Sequence, residues 1–173
     1  MNRKKKIPCN LFLIGFMGTG KSTVARYLAG KYDKNIVEMD EKIEEEQDRT
    51  ISSIFAEEGE EYFRDLETEL LKSISLQKGQ IISCGGGVPL RKENVDFMKK
   101  SGKIVLLTAL PHTIYERTSH NHNRPLLQGK NEEQIEKMME KRRKIYEDAA
   151  DIVVSIEGKR TDEIADEIIN KIL

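Results

Sequence analysis

Three features of the sequence predict an α/β fold in three layers, α/β/α, with a parallel sheet at its centre. Short apolar or β-branched runs alternate with longer stretches of helical periodicity as far as the C-terminus. Most of the short runs are almost continuously apolar instead of alternating, as expected of strands buried on both faces. The first of them passes directly into a glycine-rich segment, GFMGTGKST (Gly15–Thr23), and then into a helical pattern.

In order, the strands are expected at Leu11–Gly15, Asn35–Met39, Gln80–Cys84, Lys103–Thr108 and Asp151–Ile156. Helical patterns lie at 21–31, 41–48, 59–77, 91–100, 111–119, 131–148 and 161–172. Within 59–77 the residues Phe63, Leu66, Leu70 and Leu71 make an apolar stripe. In the last pattern Ile164, Ala165, Ile168, Ile169 and Ile172 recur at helical spacing, with Thr161 and Asp162 as cap candidates. No repeat, low-complexity tract or linker interrupts the chain, so residues 1–173 read as one domain. The stretch 119–131, SHNHNRPLLQGKN, is polar and contains Gly and Pro. A loop of that length in a compact domain is expected to be a mobile lid.

Composition narrows the function. Hydrophobic residues make up 38% of 173, enough to fill one core. With 29 Lys+Arg against 30 Asp+Glu there is no basic excess, so nucleic acid is not an expected partner. The longest apolar run, around Leu11–Met17, falls far short of the roughly 20 residues that span a bilayer, so no membrane partner is expected. The opening MNRKKKIPCNLFLIG has a basic and then an apolar part, but Lys21 follows too soon for a secretion signal, and it reads as a solvated tail. Cys9 and Cys84 are far apart, without ligand spacing. Reduced thiols and a cytoplasmic location are the expectation, with Cys84 a small core residue at a strand end. His112, His120 and His122 form no ligand pattern. The absence of a long exposed apolar stripe favours a monomer.

GFMGTGKST matches G-x-x-x-x-G-K-[ST] through Gly15, Gly20, Lys21 and Ser22. Glycines let successive backbone N–H groups turn inward on a polyphosphate at the start of a helix. Lys21 would reach the β- and γ-phosphates, and the Ser22 hydroxyl would ligate Mg²⁺. Many nucleotide switches carry a strand ending in an Mg²⁺-holding acid. Here the third strand runs into Cys84 and three glycines, and Asp151 begins the fifth strand at the wrong edge. No Asn-Lys-x-Asp guanine-reading segment occurs. A small phosphotransferase fits better than a GTP switch.

Ligands of open parallel sheets bind beyond the carboxyl ends of the strands. After the second strand stand Glu38 and Asp40, which an extended chain would place on one face. One would help hold hydrated Mg²⁺ and the other would accept the proton of an attacking hydroxyl; the competing reading is a solvated acidic turn. After the third strand come Gly85, Gly86 and Gly87, which suit a ligand touching backbone or, more simply, a tight turn. Arg64 and Arg142 lie in helical patterns, where each is either a solvated charge or a carboxylate ligand. Arg124, beside Pro125 in the lid, would close over developing charge.

The segments GFMGTGKST, MDEKIE, IFAEEGEEYFRDLE, CGGGV, NRPLL and EKRRKIYEDAAD, in this order, resemble shikimate kinase over nearly the whole chain. The resemblance implies a P-loop kinase fold like that of nucleoside monophosphate kinases, with five parallel strands in the order 2-3-1-4-5. It implies transfer of the γ-phosphate of ATP to the 3-hydroxyl of shikimate, on the way to chorismate. By motif position Asp40 binds the acceptor hydroxyl as general base, and Arg64 and Arg142 grip the acceptor carboxylate. Gly85, Gly86 and Gly87 cradle the ring, and Glu67 orients Arg64. Gly18, Thr19, Gly20, Lys21, Ser22 and Thr23 hold ATP and Mg²⁺, Arg124 is the lid arginine, and Arg117 stacks on adenine. Two positions depart from the family pattern. Glu38 stands where many relatives have Asp, and EGKRTD after the fifth strand lacks the proline that some place against adenine. A gluconate kinase or another small-molecule P-loop kinase is the alternative, against which the FRDLE…GGGV pairing counts.

Overall fold

The computed structural model describes residues 6–119, 127 and 129–173. Its strands are β1 (Asn10–Ile14), β2 (Asn35–Glu38), β3 (Gln80–Ser83), β4 (Gly102–Thr108) and β5 (Ile152–Ser155). They form one parallel sheet in the order β2-β3-β1-β4-β5, as expected. The helices are α1 (Lys21–Tyr32), α2 (Met39–Gln47), α3 (Ile51–Glu58), α4 (Glu60–Ile74), α5 (Lys92–Ser101), α6 (Pro111–Thr118), α7 (Glu132–Ala149) and α8 (Thr161–Ile172).

Central β1 shows why the apolar run is continuous. Leu11 and Leu13 pack with Ile81, Val105 and Val154 against Val24 and Leu28 of α1 and Ile164 and Ile168 of α8. Phe12 and Ile14 face the other way, joining Ile82, Ile104 and Leu106 against Ile54, Phe63, Leu71, Met98 and Tyr146. All four β1 side chains are fully buried, each contributing about 1.5–3 kcal/mol. The edge strands differ, because each lacks a neighbour on one side. Ile36 of β2 and Val153 of β5 remain 37% and 43% exposed. At the β5 edge, Lys171 and Lys159 donate to the carbonyls of Val153 and Ser155, both at 2.9 Å, placing charge where another strand would dock.

Several elements depart from the sequence reading. Helix α3 was not expected, although Ile51, Ile54 and Phe55 stand at helical spacing. Thr50 starts it by accepting the Ser53 N–H at 3.1 Å, and Gly59, at φ 89°, separates it from α4. Thr161 and Asp162 do not cap α8. Thr161 is its first residue, and Glu163 instead accepts the Arg160 backbone N–H at 3.1 Å. Residues 120–126 and 128 of the expected lid, Arg124 among them, lie outside the described residues, whereas Leu127 is buried in the core. Cys84 is buried just past β3, as expected, and both cysteines are free. Among the described residues no helix is long and apolar enough to cross a membrane.

A buried asparagine ties β1 to β3. Asn10 is fully buried; its Nδ2 donates to Gln77 O at 2.8 Å and its Oδ1 accepts from Gln80 N at 3.0 Å. Asn10→Ala leaves both backbone groups without that partner, and urea unfolding should show a loss of about 2–4 kcal/mol.

Candidate active site

The phosphate-binding loop leaves the carboxyl end of β1 and enters α1 at Lys21. Gly20, immediately before α1, has φ 90°, which a residue with a Cβ adopts only under strain. Lys21 is 8% exposed and folds back over the loop, its Nζ donating to Gly15 O at 2.7 Å and Phe16 O at 3.1 Å. The Thr19 hydroxyl donates to Phe16 O at 2.9 Å, so this side chain braces the loop from inside. Ser22 Oγ lies 3.2 Å from Ser83 Oγ at the end of β3. Arg117, in the last turn of α6, donates from Nη1 to Gly18 O at 3.3 Å.

Glu38 and Asp40 do not share the face of an extended chain. Strand β2 ends at Glu38 and α2 begins at Met39, so Asp40 stands in the first helical turn. Both acids nevertheless line one cleft of about 290 Å³, together with Gly18, Gly20, Lys21, Ser22, Thr23, Gly85, Gly86 and Arg117. Arg26 of α1 draws the Glu38 carboxylate to 2.7 Å and reaches Glu41 at 3.3 Å. Burial pushes the Glu38 carboxyl up, but hydrogen bonds with Arg26, Glu41 and Ser22 outweigh it and hold the group below its ordinary value. The Glu41 carboxyl moves the other way, raised chiefly by the hydrogen bond with Glu38.

Arg64, Glu67, Arg142 and Gly87 do not line that cleft; they pack around the glycine segment beside it. A Cβ on Gly85 would stand 2.6 Å from Glu67 Oε2 and 2.9 Å from Asp40 Oδ1. A Cβ on Gly87 would collide with the Arg64 guanidinium, and one on Gly86 would sit 3.5 Å from Arg142 Nη1. The segment is therefore more than a tight turn, because charged groups from three helices approach its backbone. Arg64 donates from Nη1 to Glu67 Oε1 at 2.6 Å and from Nη2 to Glu60 Oε1 at 3.1 Å. The expected pairing with Glu67 is thus formed, and Glu60 is a second partner that the sequence reading missed. Arg64 Nε, Glu67 Oε2 and Arg142 Nη1 are buried without a hydrogen-bond partner among the described residues. Such orphaned groups are costly unless something polar meets them.

Four further residues escaped the sequence reading. Arg26 and Ser83 carry no motif of their own. Phe16 lies under Arg142, its ring centroid 5.8 Å from Cζ. Tyr146 donates to Gly86 O at 2.6 Å; it stands a helical turn after Arg142, within the segment EKRRKIYEDAAD. No group of three or more His, Cys, Asp or Glu suited to a metal occurs among the described residues. The oxygen set of Ser22, Ser83 and Glu38 fits a hard cation that keeps most of its water or phosphate ligands.

Glu67 is 1% exposed, and burial pushes its carboxyl up to about 7 despite Arg64, with Asp40 adding repulsion. Between its ordinary 4.5 and about 7 the folded state holds a proton that the unfolded state has lost. Stability from neutral Glu67 is therefore present below 4.5 and lost as pH rises through 7. Thermal melting of wild type and Glu67→Gln from about pH 5 to about pH 8 should show the wild type losing several degrees relative to the variant. Parallel curves would exclude titration of Glu67 in this range.

Comparison with known proteins shows the family of the chain. The family model for shikimate kinase matches residues 17–173. The shikimate kinase of Thermodesulfovibrio yellowstonii is 45% identical over 163 residues, 94% of each chain. The structure of shikimate kinase from Acinetobacter baumannii in complex with shikimate is 34% identical, with a TM-score of 0.90 over 96% of this chain and 93% of that one. A gluconokinase from Sinorhizobium meliloti 1021 is 14% identical, with a TM-score of 0.58 over 96% of this chain and 93% of that one, and shares the fold alone. The loop, the acids and the paired arginines thus sit in a chain that belongs to the shikimate kinase family of ATP-dependent phosphotransferases.

Proposed function

We propose that the chain transfers the γ-phosphate of ATP to the 3-hydroxyl of shikimate, with the following division of work among its residues. The observation that carries the acceptor reading is the crowding at Gly85–Gly87. Two arginines from separate helices, each with a buried nitrogen lacking a partner among the described residues, flank backbone that also faces Asp40. Planar guanidinium groups suit a carboxylate. Arg64 and Arg142 hold the acid group of shikimate, the glycine backbone cradles its ring, and Asp40 accepts the proton of the attacking hydroxyl.

On the donor side, Gly18, Gly20, Ser22 and Thr23 direct backbone N–H groups at the polyphosphate, Thr19 shapes the loop by donating its N–H and hydroxyl to Phe16 O, and Lys21 neutralises the transferring group. Arg117, at the rim of the cleft, lies against adenine. Ser22 and Glu38, the latter drawn toward Arg26, would hold hydrated Mg²⁺. Bound Mg²⁺ offsets charge on the β- and γ-phosphates. Arg124, outside the described residues, is assigned by its NRPLL motif to a lid over 119–131 that excludes water and meets the developing charge. Alignment of the donor in the cleft with the acceptor at the adjoining glycine segment contributes much of the rate. The exposed large apolar side chains, among them Tyr27, Tyr62, Leu76 and Leu110, are scattered over different elements and support a monomer. The ATP donor and two free thiols suit the cytoplasm.

The test is ADP release from MgATP with shikimate, gluconate, a nucleoside monophosphate or no acceptor. Turnover is expected with shikimate alone and lost on chelation of Mg²⁺; gluconate-dependent turnover would overturn the acceptor reading. Lys21→Met should abolish turnover. Arg142→Ala should raise the acceptor KM about 10- to 100-fold and leave nucleotide affinity intact. An unchanged acceptor KM would remove Arg142 from the carboxylate site.

A further inference from the structure

We infer that Tyr146 is a positioning residue that sets the separation of the two arginines at the acceptor site. The inference rests on the proposed hold of Arg64 and Arg142 on the acceptor carboxylate. These arginines come from different helices, α4 and α7, and nothing in the local structure of either helix fixes their distance. The glycine segment lies between them, with Gly87 against the Arg64 guanidinium and Gly86 beside Arg142 Nη1.

Tyr146 is 5% exposed and follows Arg142 by one turn of α7, so the two side chains share a helix face. Its hydroxyl donates to Gly86 O at 2.6 Å, reaching across 60 residues of sequence. For packing, a phenyl ring would do. The hydroxyl adds a short, buried, directional link to a backbone atom, which cannot swing away as a side-chain acceptor could. Burial pushes the phenol up, with Arg142 opposing, and the net upward shift keeps it a donor. A helix moves as a rigid body, so the bond that registers α7 on Gly86 also registers Arg142 against Arg64 across Gly87.

Tyr146→Phe keeps the ring and removes the hydroxyl, with its bond to Gly86 O and its interaction with Arg142. Steady-state kinetics should show the acceptor KM rising about fivefold to tenfold, with the MgATP KM within about twofold of wild type. Acting through Arg142, the change should have no further effect on the acceptor KM in an Arg142→Ala background. Equally, it should have no effect with shikimate carboxamide, which lacks the anionic group; that arm serves if the double variant does not fold. An unchanged acceptor KM in Tyr146→Phe overturns the inference. So does an effect of equal size in the Arg142→Ala background or on the carboxamide, which would mean that Tyr146 acts by general packing. If Arg142→Ala alone leaves the acceptor KM unchanged, the carboxylate reading fails first and the inference falls with it.

Discussion

Charged side chains from three helices press against a single stretch of backbone, and they can do so because residues 85 and 87 carry no Cβ. Asp40 arrives from α2, Arg64 and Glu67 from α4, and Arg142 from α7. A methyl group on Gly85 would enter the space of two carboxylates, and one on Gly87 the space of a guanidinium. Glycine costs backbone entropy in a folded chain, and three in succession cost it three times. What the missing Cβ atoms permit is the close approach of charges to backbone and to each other, on which the proposed acceptor site rests.

That closeness sets the electrostatics. Arg64 and Glu67 form a short buried contact that becomes an ion pair as pH rises through about 7, and such a pair repays desolvation only when geometry is good and the remaining polar atoms are met. In the free protein they are not all met: Arg64 Nε and Glu67 Oε2 have no partner among the described residues. The site is thus held ready, with hydrogen-bonding capacity that an anionic, hydroxylated ligand can fill. Around Glu38 the balance is different. Exposed Arg26 and Glu41 share its charge, so that acid stays ionised at the mouth of the cleft, beside the Ser22 hydroxyl.

The apolar runs were enough to place five strands; burial on both faces makes the pattern continuous in β1, β3 and most of β4, while β2 and β5 are short, partly exposed edge strands. The phosphate loop was equally plain, since its glycines and lysine are adjacent in the chain. Helix α3 was overlooked, although Ile51, Ile54 and Phe55 stand at helical spacing between Thr50 and Gly59. The same-face argument for Glu38 and Asp40 failed because α2 starts two residues earlier than its pattern suggested, although both acids still reach one cleft.

By itself, then, the sequence determined the class of fold, the nucleotide loop and which residue types are available to an acceptor, because those depend on near neighbours and on apolar content. It also pointed to Glu67 as the partner of Arg64, a contact within one helical turn. Only the tertiary structure decided that Arg26 holds Glu38, that Ser83 meets Ser22, and that the Tyr146 hydroxyl stands on Gly86. Each of these contacts joins elements brought together by the strand order β2-β3-β1-β4-β5 and by helices packing over the sheet. Periodicity along the chain carries no record of distances between elements, so the partners became visible only once the sheet had aligned its carboxyl ends.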